Sequence, residues 1–283
     1  MHAHCLARGH YLEAVHDDGL PVLAAALKAA CRTPPRRVDR FIQLALLGSA
    51  RCVGTRTLDT DCGLYLASAL GPLASNIRVQ QDLLANHVLP RPFDFIHTLG
   101  GSAGFYVASN LGLHGPNQFL GGDHALADAM ATALADLAAG VVRQALVGVV
   151  EEAPLPLAAQ RQRLQVAADA TLAEGSHWWL LATPSSDATA PIFHLQRHTG
   201  AHNLVAQLDA LEADAVPVWL DTSLPLDLAH VLRQRFAQAA NARPTALPYH
   251  ASGAAAWLGD LQTREPATRA LVIDRHYLLR CGA

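Results

Sequence analysis

The sequence predicts an α/β fold in which a largely buried sheet is covered by helices. Short apolar runs alternate with Ala- and Leu-rich segments of helical spacing from one end to the other. Of 283 residues, 51% are hydrophobic and 16% charged, enough apolar surface to bury a sizeable core. No Gly/Ser-rich, Pro-rich or charged linker divides the chain, so residues 1–283 are expected to form a single domain. The second part repeats the pattern of the first, which suggests two similar halves, about 1–152 and 153–283.

Leu20 to Ala30 and Val38 to Ala50 read as two helices, separated by Thr33-Pro34-Pro35, which breaks any helix. Cys62 to Ala69 reads as a buried strand, Gly71-Pro72 as a turn, and Ala74 to Asn86 as a helix. Phe93 to Leu99 is apolar enough for a short strand. Gly100-Gly101-Ser102-Ala103-Gly104 then permits a sharp turn before a helix from Phe105 to Leu111. Gln118-Phe119-Leu120 is the next expected strand, followed by a long helix Ala125 to Ala139 that ends at Gly140, and a buried strand Gln144 to Val150. Beyond it the expected order is helix Ala158 to Ala173, strand Trp178 to Ala182, strand Ile192 to Gln196, helix Asn203 to Leu211 and strand Val216 to Leu220. Helix Leu226 to Ala239, an Ala-rich segment Gly253 to Leu261, and a strand Arg269 to Ile273 that pairs with Tyr277 to Arg280 complete the chain.

The stretch Asn110-Leu111-Gly112-Leu113-His114-Gly115-Pro116-Asn117 resembles the LGLxGP turn of the β-ketoacyl synthases, a thiolase-fold family. In that family the turn leads to a strand, a nucleophilic cysteine in a D-T-A-C-S context, and an Ala-rich helix. The same order follows here, but Gly121-Gly122-Asp123-His124-Ala125 stands where D-T-A-C-S belongs, so His124 takes the cysteine's place. Condensation needs a thiolate at a helix N-terminus, where the dipole and a partner histidine lower its pKa. Imidazole cannot hold the acyl thioester.

Glu174-Gly175-Ser176-His177-Trp178-Trp179-Leu180 resembles the family's E-G-A strand entry. Of the two partner histidines, the H-G-T-G-T place holds Asp221-Thr222-Ser223-Leu224-Pro225-Leu226-Asp227, without histidine. Tyr249-His250-Ala251-Ser252-Gly253-Ala254-Ala255-Ala256 resembles G-H-x-x-G-A-A-G and retains His250. The resemblance implies a shortened, layered α/β/α/β/α thiolase-like fold whose first strand is trimmed, with strand Asn117 to Leu120 at a dimer interface. It further implies a subunit of the chain-length-factor kind, paired with an active ketosynthase or with itself and served by an acyl carrier protein. Any activity would be that of a 3-oxoacyl-carrier-protein synthase. Phe105, Tyr106, His124 and His250 would line an acyl pocket, and Pro92-Phe93-Asp94-Phe95-Ile96-His97-Thr98-Leu99-Gly100-Gly101-Ser102-Ala103-Gly104 looks like the synthase-like proteins of bacterial aryl-polyene pigment assembly.

Plainer readings stand beside these. His124 reads equally as a helix cap or core histidine, His250 as a cap of the Ala-rich segment, Trp178 and Trp179 as core or interface anchors, and Asp221 and Asp227 as turn and helix N-terminal acids. A second reading takes Gly100 to Gly104 as the G-x-S-x-G elbow of an α/β-hydrolase, with Ser102, then Asp221 or Asp227, then His250 or His276. Against it, the following helix is short, no HGGG-like oxyanion segment precedes it, and tight packing explains the small residues as well.

A net charge of −3 with scattered Lys and Arg favours neither nucleic acid nor an anionic membrane. No apolar run approaches the roughly 20 residues of a bilayer span, and Met1-His2-Ala3-His4-Cys5 lacks a secretory pattern, so a cytoplasmic protein is expected. Five cysteines, Cys5, Cys31, Cys52, Cys62 and Cys281, suit reduced thiols. The 15 histidines, His2, His4 and His10 among them, show no metal-ligand spacing, so neither a metal nor a cofactor is expected.

Overall fold

The computed structural model describes residues 1–32, 36–183, 190–211, 216–237, 253–265 and 268–282. Its N-terminal elements are β1 (His2–Val15), α1 (Ala24–Ala30), α2 (Arg40–Val53), β2 (Gly63–Ser68), α3 (Leu73–Leu84), α4 (Pro92–Ile96), α5 (Gly100–Leu111), β3 (Asn117–Gly121), α6 (Ala125–Ala138), β4 (Gln144–Glu151), α7 (Leu157–Arg163) and β5 (Leu172–Ala182). There follow β6 (Ile192–Arg197), α8 (Ala201–Asp209), β7 (Val218–Leu220), α9 (Leu226–Arg235), α10 (Gly253–Arg264), β8 (Ala270–Ile273) and β9 (Tyr277–Gly282). The strands hydrogen-bond in the order β3-β2-β4-β5-β1-β6-β9-β8-β7.

Alternation along the strands sorts side chains onto two sides, because successive residues point to opposite faces. From β2, β4 and β5, Leu64, Leu66, Leu146, Val150, Trp178 and Leu180 join α1, α2 and α5 in one outer cluster. Their neighbours Tyr65, Ala67, Val147, Val149, Trp179 and Leu181 face α6 and α10. In the other half, Ala270 and Val272 of β8 meet that same inner cluster. Leu271 and Ile273 instead pack against α8 and α9. The layers are therefore α1/α2/α5, the β3-to-β1 strands, α6 with α10, the β6-to-β7 strands, and α8/α9. This is the α/β/α/β/α arrangement that the resemblance implies.

Glycine permits the closest approach in the outer layer. A Cβ on Gly9 of β1 would lie 2.4 Å from the Cys52 backbone nitrogen, and one on Gly48 of α2 would lie 2.6 Å from Trp178 Cδ1. Helix α2 consequently sits directly on β1 and β5, and Asp39 starts it by accepting a 2.9 Å hydrogen bond from Ile42 N.

Three local expectations are corrected. The first strand is present: β1 spans 14 residues between β5 and β6. It escapes the alternation test because a register shift between Cys5 and Ala7 and interspersed histidines blur its period. Phe93 to Leu99 holds helix α4, started by Pro92 at a position where no amide hydrogen is needed; Phe93, Phe95 and Ile96 are exposed, so their apolarity reflects no place in the sheet. Finally, α7 stops at Arg163, and Leu172 opens β5, which pairs with β1 through Val15↔Leu172 and with β4 through Glu151↔Gly175. Glu174 to His177 thus lie buried inside the strand rather than at its entry.

Candidate functional site

Helices α6 and α10 begin at the same place. Ala125, Leu126 and Ala127 of the first and Gly253, Ala254 and Ala255 of the second line one small cavity, together with Asp123, His124, Asp221, Val272 and Asp274. Helix α6 presents first-turn amides that lack intrahelical acceptors, so the cavity lies at its positive dipole end, with the first described turn of α10 on the other side. Three carboxylates face them. The cavity measures about 30 Å³, room for one or two waters and not for an acyl chain.

His124 is the N-cap residue of α6, yet its side chain makes no capping hydrogen bond. Gly122, at φ +148°, lets the chain turn from β3 into the helix, and its amide donates to the Ser68 carbonyl at 3.1 Å. The His124 ring stands edge-on to His276, centroids 5.6 Å apart, and its Nδ1 is buried without a partner. Asp274 organises the neighbouring hairpin: its Oδ1 accepts from the amides of His276 and Tyr277, each at 2.7 Å, and its backbone carbonyl accepts from His198 Nε2 at 2.9 Å. Burial raises the Asp274 carboxyl above the ordinary carboxylate range, helped by Asp221 and opposed by those amides and by His124. Asp221 Oδ1 accepts from Ser223 N at 2.9 Å, a turn role that the sequence suggests. Asp274 and His198 belong to this cluster without standing out in the sequence; the one available sign was a short Asp-Arg-His link between two strands.

The other expected site residues lie elsewhere. Phe105 and Tyr106 are on α5, in the outer layer, and do not line the cavity at His124: Phe105 is 66% exposed, and Tyr106 packs against the outer cluster. His250 lies outside the described residues. Asp227 sits exposed in the first turn of α9.

The hydrolase elbow is not formed. Gly100 to Gly104 are the opening turns of α5, preceded by helix α4 and not by a strand, and Ser102 Oγ donates to the Ile96 carbonyl at 2.7 Å. The glycines serve packing: a Cβ on Gly100 would meet the Phe119 ring at 2.3 Å, and one on Gly104 would meet Asn117 Oδ1 at 2.4 Å. Asp221 and His276 belong to the α6/α10 cavity region, in a different layer from Ser102.

No cysteine is among the residues that line the α6/α10 cavity. All five cysteines are free and buried. Burial pushes the thiols of Cys5, Cys62 and Cys281 up to about 12, and those of Cys31 and Cys52 upward as well. Among the described residues, no three His, Cys, Asp or Glu side chains are placed to hold a metal ion, and no helix is long and apolar enough to cross a membrane.

No family model matches the chain, and no curated protein matches it in sequence. Solved structures do match. The ishigamide ketosynthase/chain length factor superposes with TM-score 0.65 at 17% identity, covering 99% of this chain and 98% of the other. The AntDE:AntF complex, a type II PKS acyl-carrier protein with its ketosynthase bound to the hexaketide, gives TM-score 0.70 at 10% identity, covering 99% of each chain. The 3-oxoacyl-(acyl carrier protein) synthase III of Pseudomonas aeruginosa PAO1 gives 0.58 at 13%, covering 99% and 98%. At such identities the likeness establishes the fold, which is thiolase-like over essentially the whole chain.

Proposed function

We propose that this chain is a non-catalytic β-ketoacyl synthase homologue of the chain-length-factor kind, which pairs with an active ketosynthase and meets an acyl carrier protein through that assembly. The observation that carries the reading is His124 at the start of α6, in a cavity of about 30 Å³, where the family's chemistry would need a thiolate and an acyl channel. The similarity to a ketosynthase/chain length factor and to a carrier-protein-bound ketosynthase supports it. On this reading the division between related halves falls after β5 rather than near residue 152, because β5 lies between β4 and β1 in the sheet.

The surface suits assembly. β3 is an edge strand with Asn117 and Gln118 exposed, and an unprotected edge is a template for pairing. On the same side of the fold, α5 contacts β3, and α4, α5 and the link between them expose Phe93, Phe95, Leu99 and Phe105. Phe105 and Tyr106 would then act at the contact with a partner subunit. Aryl-polyene pigment assembly is the finer placement, supported by the Pro92 to Gly104 pattern. A homodimer is the second reading, and the same edge strand would serve it.

The experiment is co-expression with a candidate ketosynthase, followed by size exclusion. Co-elution at equal stoichiometry, lost in Phe105→Asp, is expected. A chain that elutes alone as a monomer, or that loads an acyl group from acyl carrier protein without the partner, refutes the proposal.

A further inference from the structure

A second cavity, unrelated to His124, lies on the outer face of the C-terminal half, across the β6-to-β7 strands from α6 and α10. It measures about 210 Å³, seven times the room beside His124. Ile192 of β6 and Leu271 of β8 form an apolar floor on either side of Arg280 of β9. The strand register places Leu271 opposite Arg280, and Ile192 opposite Gly282. Leu211 and Val216 close the other wall, both packed against the α8/α9 cluster. Arg269 stands at the rim, its stem crossing Gly282, where a Cβ would lie 2.8 Å from Arg269 Cγ. Gly282 has φ +137°, so glycine there both permits the turn and makes room for the arginine.

Arg280 is half-buried, and its guanidinium has no hydrogen-bond or ion-pair partner among the described residues. Among the described residues, no carboxylate lines the cavity. His194 faces it across the β6/β9 ladder, and burial, Arg280, the N-terminal amine and His2 all lower its pKa. A partly desolvated guanidinium without a counter-charge is costly, and a planar carboxylate offers it two parallel hydrogen bonds. The floor and wall require that the rest of such a ligand be apolar. The volume falls below the roughly 300–1,000 Å³ of sites for drug-sized molecules, so the ligand is small.

We propose that this cavity binds a small organic carboxylate with an apolar body, its carboxylate on Arg280 and its body between Ile192, Leu271, Leu211 and Val216. The site is independent of the condensing-enzyme reading, since it uses no residue of the α6/α10 cavity.

Calorimetric titration of the intact protein tests it with three probes: hexanoate, acetate, which lacks the body, and hexanol, which lacks the charge. Hexanoate is expected to bind saturably below about 10 mM, and at least about tenfold more tightly than either control. Arg280→Gln should weaken hexanoate about tenfold or more while leaving hexanol unchanged, and Arg280→Lys should lose less. Equal affinity for hexanoate and acetate overturns the proposal, as does unchanged binding in Arg280→Gln or no saturable heat. The three-probe comparison on the unmutated protein decides the matter even if Arg280→Gln fails to fold.

Discussion

Glu152 should make the protein less stable as pH rises through neutrality. It follows the end of β4, is 4% exposed, and accepts a hydrogen bond from Ala74 N at 2.6 Å. Burial raises its carboxyl from 4.5 to about 8, and Asp39, Glu174 and Glu151 add to the effect while the Ala74 amide opposes it. The folded state therefore keeps a proton between pH 4.5 and about 8 that the unfolded chain has released. Folded protein binds more protons in that window, so stability falls with rising pH and levels off above about 8. The gap between 4.5 and about 8, at about 1.4 kcal/mol per decade, sets an upper bound of about 5 kcal/mol. Glu152→Gln keeps the carbonyl that Ala74 N needs and removes the titration. Urea denaturation followed by tryptophan fluorescence, at half-unit steps from pH 5 to 9, should show Glu152→Gln gaining about 2–5 kcal/mol over wild type across the window. Asp274, whose carboxyl is also raised but which does not act on Glu152, contributes equally in both proteins and cancels in the difference, whereas Asp39 interacts with Glu152 and its response belongs to the effect measured. Two stability curves that stay parallel within about 0.5 kcal/mol would refute the assignment of a neutral Glu152.

Other consequences are direct. Gly48→Ala would drive a methyl into Ser176 and Trp178 in a packed layer and should cost about 1–3 kcal/mol, read as a lower urea midpoint with unchanged slope. The five buried thiols should resist a disulfide reagent in native buffer at pH 8 and all react in denaturant; rapid native labelling of one would contradict the raised pKa values. A fluorophosphonate should leave Ser102 unlabelled, because its hydroxyl donates to the Ile96 carbonyl and, among the described residues, hydrogen-bonds to no histidine; stoichiometric labelling would restore the hydrolase reading. Gln262→Leu should cost about 1–3 kcal/mol by leaving the buried Trp179 indole N–H without its 2.8 Å acceptor, while Trp179→Phe in that background should cost little for the lost hydrogen bond.

By itself the sequence determined the alternation of strands and helices, and the frame that runs from the Gly112 turn through β3 and α6 to β4. There, short buried runs and an Ala-rich helix leave little freedom of assignment. It also determined that a histidine, and no cysteine, stands at the head of α6. Elements whose apolarity does not report their burial were beyond it. β1 is a central strand disguised by a bulge and histidines, α4 exposes its aromatic residues, and the glycines before α5 mark contact with Phe119 and Asn117 instead of a nucleophile turn. Only the tertiary structure decided what surrounds His124, because Asp221, Asp274 and His276 reach it from strand ends remote in sequence. Layer packing, which periodicity does not encode, brings the α6 and α10 N-termini together there. It also separates Phe105 and Tyr106 from the cavity they were expected to line.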